Sequence, residues 1–162
     1  MNSGKNSKAA KGQSSFELLI TLSFGLAILL PIVTLAFIQI SNANSSLAAT
    51  EAQQAASKLS STATLIASEG APAKQVIQVQ IPPNVQSIFV GNLTNGIGHE
   101  VIFTVRSPTG LSYITSYTPA NVSGNLGGIS LPGTYLVNIS ANSACPYSNN
   151  PIPCVYLAPV VP

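Results

Sequence analysis

Of the 162 residues, 46% are hydrophobic and only 6% charged, with no Trp; a soluble domain carries about a quarter charged residues. Polarity here comes from Ser, Thr, Asn and Gln, a secreted or surface-type composition. The formal net charge of +2 rests on Lys5, Lys8 and Lys11. Beyond residue 12, Lys58, Lys74 and Arg106 face Glu17, Glu51, Glu69 and Glu100, a balance of −1 that excludes a basic patch for nucleic acid.

In chain order, residues 1–12 are polar, Lys-rich and free of acidic groups, and read as a short cytoplasmic leader too irregular to fold. From Leu18 to Ile40 follow 23 residues without a charge, against the roughly 20 that a membrane-spanning helix needs. The lysines ahead of the run place the N-terminus in the cytoplasm and the remainder outside. The run has three possible fates. A secretory signal would be cut after Ser41-Asn42-Ala43, although its apolar region usually has only about 7–15 residues. A permanent single-span anchor would leave the chain intact. In the third, the cut precedes the run and the apolar helix becomes the mature N-terminus.

The third fate is carried by Lys11-Gly12-Gln13-Ser14-Ser15-Phe16-Glu17-Leu18-Leu19. This stretch resembles the class III signal peptide of archaeal type IV pilin-like proteins, closely over residues 8–40 and in architecture beyond. The resemblance implies cleavage between Gly12 and Gln13 by a membrane prepilin peptidase. It further implies assembly of identical subunits into a helical surface filament by an assembly ATPase and a membrane platform protein. Glu17 then pairs with the free amine of a neighbouring subunit's Gln13. A local reading of Glu17 is compatible: with Ser14 it forms a capping box, and the helix dipole favours its carboxylate. Pro31, inside the run, is tolerated in membrane or bundle surroundings.

From Ser41 the helical period continues. Ala48, Ala52, Ala55, Leu59, Ala63 and Ile66 form a stripe of mostly small residues, with Glu51, Gln54 and Lys58 off it. One helix over 13–68, with its transmembrane half at 18–40, would be roughly 80 Å long. Residues 69–74, which include Gly70 and Pro72, stop it and form a linker.

Residues 75–162 read as an extracellular β domain. Ile77, Val79 and Ile81 alternate with Gln78 and Gln80 before the Pro82-Pro83-Asn84 turn. Ser87–Leu93 makes a second strand ahead of Asn95-Gly96, and Val101, Phe103 and Val105 mark a third. Leu111–Tyr117, Ile129–Leu131, Tyr135–Ala141 and Val155–Leu157 follow. The expected fold class is α+β: a long N-terminal helix, then a small antiparallel β-sandwich head.

Cys145 and Cys154, close together in an exported chain, read as a disulfide loop, with two free thiols or metal ligands as weaker readings. Asn44, Asn92, Asn121 and Asn138 each begin an Asn-X-Ser/Thr triplet. Of these, Asn138 is favoured for glycosylation because Val137 and Ile139 point inward. His99 is expected in a solvated loop. Tyr113, Tyr117, Tyr147 and Tyr156 are expected in core and rim rather than on a sugar-binding face. No catalytic constellation, metal site or cofactor motif stands out, so neither enzymatic activity nor a cofactor is expected. The expected protein is a structural, adhesive filament subunit. A membrane-anchored binding module, a minor pilin and an archaellum-associated protein are the alternatives.

Overall fold

The computed structural model describes residues 7–94, 96–129, 131–146 and 151–160, with residues 7–14 described by backbone alone. It has one long N-terminal helix, α1 (Ser7–Glu69), and six strands: β1 (Lys74–Ile81), β2 (Val85–Gly91), β3 (Gly98–Ser107), β4 (Gly110–Asn125), β5 (Gly133–Asn142) and β6 (Cys154–Pro159). The class is α+β, with a mostly antiparallel sheet following the helix. Two compact units form, Met1–Asn42 and Ala43–Pro162.

Within the first unit α1 begins at Ser7, ahead of the expected start, and runs through Pro31. The backbone of residues 7–12 is therefore helical, which corrects the expectation of an irregular leader there; residues 1–6 lie outside the described residues. Ser14 sits inside the helix and not at its N-cap, so the capping-box reading of Ser14 and Glu17 does not hold in this chain. Ala9 and Ala10, with Lys8 and Lys11 beside them, supply enough helix propensity to extend the helix upstream.

In the second unit the predicted stripe is the buried face of α1. Ala48, Ala52, Ala55, Leu59, Ala63 and Ile66 are each at most 6% exposed, joined by Ala56. They share one hydrophobic cluster with inward residues of all six strands, among them Val79, Val90, Phe103, Val122, Val137 and Leu157. Small side chains let the helix approach the sheet closely, and polar pairs fix the contact. Ser60 and Ser116 share a 2.7 Å hydrogen bond, Thr64 and Thr118 one of 2.9 Å, and Lys58 Nζ donates to the Gln78 carbonyl at 2.8 Å. The helix ends where Gly70 takes φ +76°, its N–H donating to the Ile66 carbonyl, a left-handed cap that only glycine adopts without penalty.

The strands make one hydrogen-bonded sheet in the order β1-β5-β6-β4-β2-β3, with β3 also paired to β4. The element packed on its inward face is α1. β4 joins two arms: its 111–117 part pairs antiparallel with β3, and Val122–Gly124 pair in parallel with β6. Pro82-Pro83-Asn84 is thus no hairpin; it carries the chain from β1, which pairs with β5, to β2 in the other arm. The second strand runs Val85–Gly91, shifted two residues toward the N-terminus from the expected span. Ile129 and Leu131 lie outside any strand: Ile129 N–H donates to the Leu126 carbonyl at 3.1 Å in a turn, and Leu131 is exposed. Gly127, Gly128 and Pro132 on either side favour that turn over a ladder; Ser130 lies outside the described residues.

Candidate functional site

The apolar stretch of α1 carries sixteen large hydrophobic side chains between Phe16 and Ile40, each 48–74% exposed. They are spread round the helix, since Leu18, Leu19 and Ile20 are consecutive. Its best window has mean hydropathy 2.5, so one helix near the N-terminus is long and apolar enough to cross a membrane. Its two threonine hydroxyls bond back to their own helix, Thr21 to the carbonyls of Glu17 and Leu18 (3.1 and 3.0 Å) and Thr34 to that of Leu30 (2.8 Å). No unpaired hydroxyl of these two threonines is then offered to apolar surroundings. Glu17 is exposed at the start of the stretch. Gly12 and Gln13 are in the helical backbone, and their side chains lie outside the described residues.

The four Asn-X-Ser/Thr triplets are scattered over separate elements. Asn44 is exposed on α1. Asn138 is half-buried on β5 between buried Val137 and Ile139, with its side chain on the outward face, as the alternation predicts. Asn121 donates from Nδ2 to the Pro153 carbonyl at 3.4 Å. Asn92 is exposed at the end of β2. Its Oδ1 accepts from Thr94 N–H (2.9 Å), Thr94 Oγ1 (2.7 Å) and Gly96 N–H (2.8 Å).

Cys145 and Cys154 form the disulfide expected from their spacing, and Cys145 N–H donates to the Ile152 carbonyl at 2.9 Å within the loop. Both residues are buried. Replacing both by serine is expected to lower unfolding stability by about 2.5–3 kcal/mol through the entropy returned to the unfolded chain. Urea unfolding of the full chain in nanodiscs measures it, and an unchanged midpoint would show that the bridge contributes nothing.

A concavity of the head lies on the outer face of β3 and β4. It is an open groove of about 770 Å³ floored by Ile102, Tyr113, Thr115 and Tyr117 and walled by Asn92, Leu93 and Thr94. Register explains the grouping. Glu100 pairs with Tyr117, Ile102 with Thr115 and Thr104 with Tyr113, so these side chains share one face of the ladder. Ser116 and Thr118 take the opposite face and bond to α1. Tyr113 is 59% and Tyr117 68% exposed, against the core and rim placement expected of them. Tyr156 is half-buried on β6, and Tyr147 lies outside the described residues. His99, expected in a loop, is the second residue of β3. Its Nδ1 lies 3.1 Å from the Ala120 carbonyl, which can only accept, so Nδ1 carries a hydrogen and, in the neutral ring, Nε2 is the acceptor. The His99 and Tyr117 rings are 6.0 Å apart. Glu100 and Thr115 are groove residues that the sequence reading did not single out. The available signal was the two-residue spacing of Tyr113, Thr115 and Tyr117, which groups them on one face without saying which face is buried.

Among the described residues no group of three His, Cys, Asp or Glu side chains is placed to hold a metal ion. Comparison with protein-family models, with characterised proteins and with solved structures finds no match to this chain. What the fold defines is therefore a class: an α+β head, stapled by a disulfide, that follows a single apolar N-terminal helix.

Proposed function

We propose that this chain is the structural subunit of an archaeal type IV pilus-like surface filament, made as a membrane-held precursor and cut between Gly12 and Gln13. The observation that carries the reading is the apolar stretch of α1, whose sixteen large side chains find no partner within the described chain. Leaving a buried-type side chain in water costs about 1.5–3 kcal/mol, so the stretch as a whole demands cover worth tens of kcal/mol. Lipid provides it for the precursor and neighbouring copies of the same helix provide it in the filament. Because acyl chains and leucine side chains are equally apolar, transfer from one to the other is nearly neutral in hydrophobic terms. Directional contacts then decide assembly, foremost the pairing of Glu17 with the Gln13 amine of a neighbour. Peptidase, ATPase and platform protein process and extrude the subunit, the head faces outside, and the filament serves adhesion. N-linked glycans on the exposed Asn44 and the outward-facing Asn138 belong to this reading as modifications of a surface protein.

A second reading is a single-span anchored module that keeps residues 1–12. The unbroken helical backbone through Gly12 and Gln13 favours it, since peptidases act on extended chain. N-terminal sequencing and intact mass of protein from native membranes separate the two. A start at Gln13, with enrichment in sheared filaments, is the expected result. A start at Met1 or Asn2 supports the anchored module, and a start at Asn44 would remove the filament altogether.

A further inference from the structure

We infer that the groove on the outer face of β3 and β4 is a binding site for a neutral oligosaccharide, with Tyr113 and Tyr117 as stacking platforms. Both rings are more than half exposed although aromatic side chains normally bury most of their surface. They stand four residues apart on one strand face, about 13 Å at 3.3 Å per residue. One small ligand cannot touch both rings, whereas a chain of a few sugar rings spans them. Stacking of an aromatic ring on the apolar face of a pyranose needs that geometry, a flat ring open to solvent.

The polar groups between and around the rings suit hydroxyls. Thr115 sits midway between the tyrosines, its hydroxyl able to donate and accept. Glu100, opposite Tyr117, is an acceptor with no ion pair among the described residues. His99 offers Nε2 as a further acceptor, its Nδ1 being held by Ala120. The Asn92 amide has Oδ1 committed to its own loop, which leaves Nδ2 hydrogens for an acceptor. Charge narrows the ligand class. Among the described residues no Lys or Arg lines the groove while one carboxylate does, so phosphates, nucleotides and uronic-acid chains are disfavoured. A compact quaternary ammonium ion is disfavoured by the separation of the two rings, because aromatic recognition of such a cation needs rings converging on one point. An extended, uncharged, polyhydroxylated chain remains.

The site requires only the folded head, so it holds whether the chain assembles into filaments or stays an anchored module; in the filament it names what the surface adheres to. The test uses the full chain in nanodiscs, which avoids sugar-headed detergents. Saturation-transfer NMR is run with cellotetraose, maltotetraose, mannotetraose, galactotetraose and chitotetraose, and with tetramethylammonium and inorganic phosphate as controls. Binding of at least one tetrasaccharide with Kd near or below about 1 mM is expected, since a shallow, open site buries little of its ligand. Tyr113→Ala or Tyr117→Ala should weaken it about tenfold each, while Tyr117→Phe, which keeps the ring, stays within about threefold of the native chain. Circular dichroism and the thermal midpoint confirm that these exposed substitutions leave the fold unchanged. The inference is overturned by silence toward all five sugars, by binding that Tyr113→Ala and Tyr117→Ala both leave intact, or by binding of tetramethylammonium or phosphate in their place. Failure here leaves the N-terminus of the native protein unaffected, so the filament reading stands or falls separately.

Discussion

Gly91→Ala is expected to destabilise the head by about 2–5 kcal/mol, summing a left-handed backbone penalty and overpacking against atoms that cannot move aside. Gly91 ends β2 with φ +93°, a conformation that residues with a Cβ rarely adopt. A Cβ there would run into the Gly96 carbonyl oxygen, and would lie 2.6 Å from the Val122 carbonyl oxygen and 2.9 Å from the Gly98 nitrogen. All three are backbone atoms, so no rotamer change relieves the clash. Gly98 meets the same obstacle from the other side, since its Cβ would strike the Gly91 carbonyl. The two glycines let β2 and β3 approach at the root of the loop that walls the groove. Against a total stability of about 5–15 kcal/mol, the loss is a large fraction. Urea unfolding of the full chain in nanodiscs reads it, with Gly128→Ala as the control: a Cβ at Gly128 meets nothing within 4 Å, and its midpoint should stay close to that of the native chain. A Gly91→Ala chain equally close to native would mean that the β2–β3 loop reorganises freely and that the groove wall is not set by this crossing.

Glu17→Gln is expected to separate the two environments of α1. In lipid the substitution removes a charge at the start of an apolar stretch, so membrane retention and helix content should hold or improve. In a filament the neighbour's Gln13 amine would lose its counter-charge, and breaking a buried pair by removing one partner costs about 3–5 kcal/mol. Filament yield from sheared cells should therefore fall by about a hundredfold or more, while the precursor accumulates in the membrane. The opposite signs make the result diagnostic: a protein that merely misfolded would be lost from both fractions. Filaments at native abundance would assign Glu17 a local role at the start of the apolar stretch and would remove the inter-subunit pair from the proposed mechanism.

The groove and the apolar stretch of α1 differ in what they offer a partner. The large side chains of the apolar stretch of α1 are exposed, so its partners need only be apolar. The groove presents two rings with specific polar neighbours, so its ligand needs matched chemistry. The first surface is compatible with many lipids or identical helices; the second is selective.

Much of this was legible in the residues themselves. The stripe Ala48, Ala52, Ala55, Leu59, Ala63 and Ile66 is buried throughout, because a helical period is a local property and small residues on one face announce close packing. Ile77, Val79 and Ile81, and Val101, Phe103 and Val105, are buried for the same local reason at period two. The bridge between Cys145 and Cys154 needed only nine residues of separation and a shared loop. Where reasoning from the residues stopped, the deciding contacts were distant in the chain. Whether Tyr113 and Tyr117 or Ser116 and Thr118 face the core is not set by alternation, since both sets mix polar and apolar character. The choice is made by Ser60 and Thr64, 56 and 54 residues away, whose hydroxyls bond to Ser116 and Thr118 and draw that face onto α1. Once the helix holds the hydroxyl face, the pleat of β4 leaves the tyrosines no direction but outward. The chain alone determined the helix, most of the strands and the bridge; the groove exists only because the helix packed against one side of β4.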